Sequence, residues 1–94
     1  MTYRIEGVVW KWPGDMGWHF VTLDKALSKK IKSVARTYGA GFVKVRATVG
    51  NSTWNTALFP HTQSQAYLLA IKASIRKKED IFEGDHVSIT FVLE

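Results

Sequence analysis

The groups best suited to hold a ligand in this sequence are cations placed near a tryptophan: Arg46, Trp54, Thr56, Lys72 and Arg76. A cationic side chain beside an indole holds an anionic or planar molecule by charge-assisted hydrogen bonds and cation–π contact. Strand parity puts Arg46 and Thr48 on one face and Trp54 and Thr56 on one face of the next strand. Across a hairpin at Gly50-Asn51 these faces are expected to coincide. Lys72 and Arg76 lie four apart around the start of a short helix, close enough to project together. The expected site takes charge from Arg46, Lys72 and Arg76, a stacking face from Trp54 and a hydroxyl from Thr56. The competing account buries Trp54 in the core and lays the cations over it.

A second set is purely basic. Lys25, Lys29, Lys32 and Arg36 recur at i, i+4, i+7 and i+11, one stripe of a helix. With the run Arg76-Lys77-Lys78 they would make a surface that follows phosphates. A solvated helix flank has the same pattern. The balance of 13 Lys and Arg against 8 Asp and Glu, net +5, favours anionic partners without naming one.

Other chemistry finds little support. There is no cysteine, which removes disulfides and thiolate metal sites. His19, His61 and His86 have no ligand spacing. Glu79, Asp80, Glu83 and Asp85 crowd around one turn, where they are expected to be solvated or capping, and no carboxyl sits in an apolar context that would raise its pKa. Ser28, Ser52, Ser64, Ser74 and Ser88 lack a nucleophile-elbow context. Gly39-Ala40-Gly41 follows a helix and does not precede one, so it is a stop and not a phosphate loop. The expectation is a non-catalytic binding module with no metal and no cofactor. Its ligand would be a small anionic or aromatic molecule; nucleic acid is the alternative partner, and a concealed enzyme the third reading.

The elements that must position these residues follow from pattern. Residues 3–12 alternate as a strand, with Ile5, Gly7 and Val9 opposite Val8, Trp10 and Trp12. Trp12-Pro13-Gly14-Asp15 breaks it. A second strand spans 17–23. Asp24 caps a helix whose apolar positions are Leu27, Ile31, Val34, Ala35 and Tyr38, ended by Gly39 and Gly41. Phe42 to Val49 alternate, turn at Gly50-Asn51, and return as Thr53 to Phe59, stopped at Pro60. After a polar loop, Ala66–Ile71 is a strand, Ala73–Lys78 a short helix, and His86–Leu93 the last strand.

Ninety-four residues make one domain, 1–94. The N-terminus lacks a signal-peptide pattern and no apolar run is long enough to span a bilayer, so a soluble cytoplasmic protein without membrane contact is expected. A faint echo at an offset of 47 residues relates 18–49 to 66–93, each running strand, helix, strand. Two such halves can close a barrel without free edges, an arrangement that a monomer satisfies.

Three stretches carry a resemblance. They are Gly17-Trp18-His19-Phe20-Val21, Trp54-Asn55-Thr56-Ala57-Leu58-Phe59-Pro60, and Tyr67 to Arg76 followed by Glu83-Gly84-Asp85. In this order the chain resembles the domain-of-unknown-function 1905 family. It departs at Ala57, where serine is usual, and at Ala70, where proline is usual. The resemblance implies a mainly β (α+β) fold: a six-stranded double-split β-barrel with one long and one short helix. It implies an architecture similar to AbrB/MazE-type DNA-binding regulators and no assigned biochemical role; fold alone does not carry function.

Overall fold

The computed structural model describes residues 1–14 and 16–94. Asp15, the last residue of the expected strand breaker, lies outside the described residues. The chain runs β1 (Thr2–Val8), β2 (Trp10–Lys11), β3 (His19–Thr22), α1 (Lys25–Val34), β4 (Val43–Val49), β5 (Ser52–His61), β6 (Ala66–Ala70), α2 (Ala73–Glu79) and β7 (His86–Leu93). It is mainly β with two helices. The strands form one curled antiparallel sheet of seven, in the order β1-β7-β4-β5-β6-β3-β2.

Seven strands replace the expected six because the first one divides at Val9. There the backbone leaves the ladder: Val9 N–H donates to Asp85 O and Gly84 N–H donates to Val9 O, both at 2.8 Å. β1 pairs with β7, whereas β2 pairs with β3. The two ends of the strand order are therefore successive parts of one short segment, and the sheet curls back on itself. Gly7 permits the close approach this needs, since a Cβ there would meet Val21 Cγ1 at 2.9 Å.

Alternation on β4 sends Val43, Val45, Ala47 and Val49 inward. They join Ile5, Val9, Val21, Trp54, Leu58, Leu69, Ile89 and Phe91 in the main core. Burying such side chains contributes about 1.5–3 kcal/mol each relative to exposure. Ile31, wholly buried, is the main contribution of α1 to that core.

α1 starts as expected: Asp24 Oδ1 accepts from Leu27 N–H at 2.7 Å. It ends earlier than expected. Ala35 is already extended, its N–H donating to Ile31 O. Val34 is consequently exposed and does not pack inward. Gly39 and Gly41 serve a tight turn instead, in which Tyr38 and Phe42 exchange backbone hydrogen bonds at 2.8 Å. Pro60 does not stop β5 either; it pairs with Tyr67 of β6. The β4 ladder has ended by then, at Val43↔Leu58, so the missing N–H leaves no partner unserved.

Among the described residues no helix is long and apolar enough to cross a membrane.

Candidate functional site

All five residues of β6 are buried, Ala66 to Ala70, which sets it apart from the alternating strands around it. One face, Tyr67 and Leu69, belongs to the main core. The other face, Leu68 and Ala70, packs with Phe20 in a separate cluster bordered by Trp10 and Phe59. Register builds this second cluster: Phe20 pairs with Ala70 and with Trp10, and Leu68 pairs with both Phe59 and Thr22. Among the described residues aromatic rings, and not a helix, cover this outer face.

Those rings form a continuous shelf. Trp18 stacks on Phe20 with the planes 7° apart and the centroids 6.1 Å apart. Phe59 meets both edge-on, and Trp12 meets Phe20 and His61 edge-on. Phe42 extends the shelf through an edge contact with Phe59 at 4.9 Å. Trp12 and Trp18 remain 42% and 46% exposed, so these rings cover Phe20 and still present wide faces outward. A hollow of about 250 Å³ opens there between Trp12, Trp18, Phe20, Phe59, Pro60 and His61.

A larger cleft, about 690 Å³, lies on the other side of Pro60 and His61. One wall is α1, with Lys25, Ser28, Lys29 and Lys32; the others are the 37–41 turn and residues 60–67. The walls are held together at Tyr67, whose N–H donates to Ser28 Oγ at 3.0 Å and whose carbonyl accepts from Leu23 N–H at 2.9 Å. Burial pushes the Tyr67 phenol above its ordinary value. Among the described residues the salt bridge present is Arg4–Glu6, so the lysines of the cleft have no carboxylate partner there. His61, at the junction, has Nδ1 2.7 Å from Ser64 Oγ.

The site expected around Trp54 is not assembled. A two-residue turn at Gly50-Asn51 pairs Arg46 with Asn55 and Ala47 with Trp54. Positions in such a hairpin sum to an odd number, so even positions of β4 share a face with odd positions of β5. Arg46 therefore lies on the face opposite Trp54. Trp54 is 4% exposed, packs in the core, and its indole N–H has no hydrogen-bond partner among the described residues. The expected shared face of Arg46 and Trp54 is thus corrected. Thr56 donates to Ala70 O at 3.2 Å. Lys72 is exposed at the N-cap of α2.

Arg76 has a different surrounding. Its Nε donates to Ile71 O at 3.1 Å, Nη2 to Gly17 O at 3.4 Å, and Nη1 lies 3.5 Å from His19 Nε2. His19 Nδ1 is 2.7 Å from Gly17 O, a carbonyl that only accepts, so Nδ1 carries the proton and Nε2 is free to accept from Arg76. Arg76 thereby braces the loop that presents Trp18.

The basic set divides. Lys25, Lys29 and Lys32 share the cleft. Arg36 falls beyond the end of α1, off the helical stripe. Lys77 and Lys78 lie on α2, which is fastened to the other end of β5 by Ser52 Oγ donating to Glu79 Oε2 at 2.5 Å. Among the described residues no group of three His, Asp or Glu side chains is arranged to hold a metal ion.

The sequence reading missed the aromatic shelf. Two signals were available: an unbroken apolar run at 66–71, which marks a strand buried on both faces, and the outward parity of Trp10 and Trp12.

The family model described as "Domain of unknown function (DUF1905)" matches residues 6–91. The chain belongs to the DUF1905 family. The match takes in every strand and both helices in whole or in part, including the shelf and the cleft, so both are parts of the family's domain and not appendages to it. A comparison with curated proteins finds no match.

Proposed function

We propose that this DUF1905 domain is a non-catalytic binding module for a ligand with a flat or apolar part and an anionic part. The observation that carries this reading is the meeting of the aromatic hollow and the lysine cleft at Pro60 and His61. Rings that keep exposed faces stack on planar groups. Ammonium groups without carboxylate partners attract anions. The ligand is placed over Trp12 and Trp18 with its charge toward Lys25, Lys29 and Lys32, and not around Trp54. We read the scaffold as the closed, double-split form of the barrel, which holds the two walls in fixed relation because β1 and β2 tie both ends of the sheet.

Amide chemical-shift mapping with ligands of this class, such as aromatic carboxylates and nucleoside monophosphates, tests the reading. Saturable shifts at Trp12, Trp18, His61 and Lys29 are expected, with Arg46 and Trp54 unmoved. Shifts confined to other parts of the sheet, or none at millimolar ligand, would reject it.

A further inference from the structure

We infer, resting on the reading above, that the occupant of this joint site is single-stranded nucleic acid, with unpaired bases on the aromatic shelf and successive phosphates along α1. Three observations select this class.

The shelf offers mainly flat apolar surface. Its lining is Trp12, Trp18, Phe20, Phe59 and Leu68 with Pro60 and His61. The neighbouring indole N–H of Trp10 is already donated to Thr22 Oγ1 at 2.9 Å. Stacking of this kind is indifferent to base identity, because every base has a π-face. In a duplex those faces are consumed by the neighbouring pairs, so only an unpaired strand offers them.

The charge is spread and not focused. Lys25, Lys29 and Lys32 lie along one side of the cleft. At 1.5 Å rise per residue they extend over roughly 10 Å. A span of that length matches successive phosphates of a backbone better than one phosphate. Lysines are also point charges without the fixed fork by which arginine grips a single anion.

The start of α1 already carries a carboxylate. Asp24 Oδ1 accepts from Leu27 N–H, at the position where a lone phosphate would otherwise sit, and its negative charge disfavours a single anion there.

Fluorescence anisotropy of a 5′-labelled ten-residue oligothymidine, with the full chain, tests the inference. The competitors are an abasic strand of equal phosphate number, the matching duplex, uridine monophosphate and a heparin oligosaccharide. The oligothymidine is expected to bind in the micromolar range, with the abasic strand and the duplex at least about tenfold weaker. Trp18→Ala should weaken oligothymidine at least about fivefold, the lower end for losing one base–aromatic stack, and leave the abasic strand unchanged. Lys29→Ala should reduce the slope of log affinity against log salt by about 0.7, one phosphate contact on a single strand. Lys77→Ala, at the far end of β5, should change neither. Circular dichroism confirms that each variant is folded. Equal binding of oligothymidine and abasic strand, or full affinity in a folded Trp18→Ala, would overturn the inference in favour of charge alone. Tighter binding of heparin or of the duplex would overturn it in favour of another polyanion. If uridine monophosphate shifts the amides at Trp18 and His61 and the longer strand gains nothing, the inference falls and the binding reading stands. If no probe binds, both fall.

Discussion

Trp54 and Trp18 stand on opposite sides of the same wall. Trp54 points inward from β5, opposite the small Ala47, and is sealed in the main core. Trp18 lies outside, stacked on Phe20, and keeps nearly half its surface. The same residue type thus supplies packing in one place and an accessible surface in the other. For Trp54 strand parity decides this; Trp18 lies just before β3 and is held outside by stacking on Phe20. A ring that fills a barrel is judged by the space it leaves when removed; a ring on a shelf is judged by what it presents.

The largest expected effect follows from that contrast. Trp54→Ala should cost about 3–5 kcal/mol, the range for deleting a buried aromatic side chain, measured by urea unfolding. A loss below about 1 kcal/mol would mean that the interior is not packed around it. Ile31→Ala sharpens the comparison, because Ile31 is wholly buried although it lies on a helix. Its expected cost is about 2–4 kcal/mol. Removing the cap in Asp24→Ala should cost about 1 kcal/mol, since Leu27 N–H loses its acceptor. Trp18→Ala is expected to change stability by less than about 1 kcal/mol, as a half-exposed ring away from the core. A destabilisation equal to that of Trp54→Ala would break the distinction between the two sides.

The smallest expected effect concerns pH. Burial raises the Tyr67 phenol above its ordinary value of 10.0. A raised acid pKa in the folded state means that the folded chain holds this proton where the unfolded chain has released it. The contribution is fully present below about pH 10 and declines as pH rises through the folded value. Thermal unfolding at about pH 9 and pH 11 should therefore show a steeper alkaline loss in the wild type than in Tyr67→Phe. Parallel losses would show that Tyr67 titrates as an exposed phenol.

Much of the scaffold was legible because its signals are local. The alternation of β4, the Gly50-Asn51 turn and the Asp24 cap each involve neighbours in sequence. The division of the first strand was not legible, because it depends on Asp85 and Gly84, more than seventy residues away. The premature end of α1 was hidden because Val34 and Ala35 continue the apolar pattern, and only packing reveals that Val34 has nothing to cover. The expected site failed on a count of one: Arg46 pairs with Asn55 and not with Trp54. The lysines of α1 were found, since a helical stripe is a local pattern. The shelf that they adjoin was not, since Trp12 and Trp18 lie in the connection between β2 and β3 whereas Phe59 and His61 lie on β5, far along the chain.

The division at Val9 also sets the order of events when the chain folds. The β4–β5 hairpin can form from neighbours, but β1 meets β7 only across the length of the chain, as in the contact of Arg4 with Ser88 84 positions later. During synthesis the first strand must wait, unpaired, until the last has emerged. A contact of that span is entropically costly to reach early and is made late. Until then the sheet has two open edges. A refolding experiment should therefore show hairpin protection against hydrogen exchange in β4 and β5 before protection in β1.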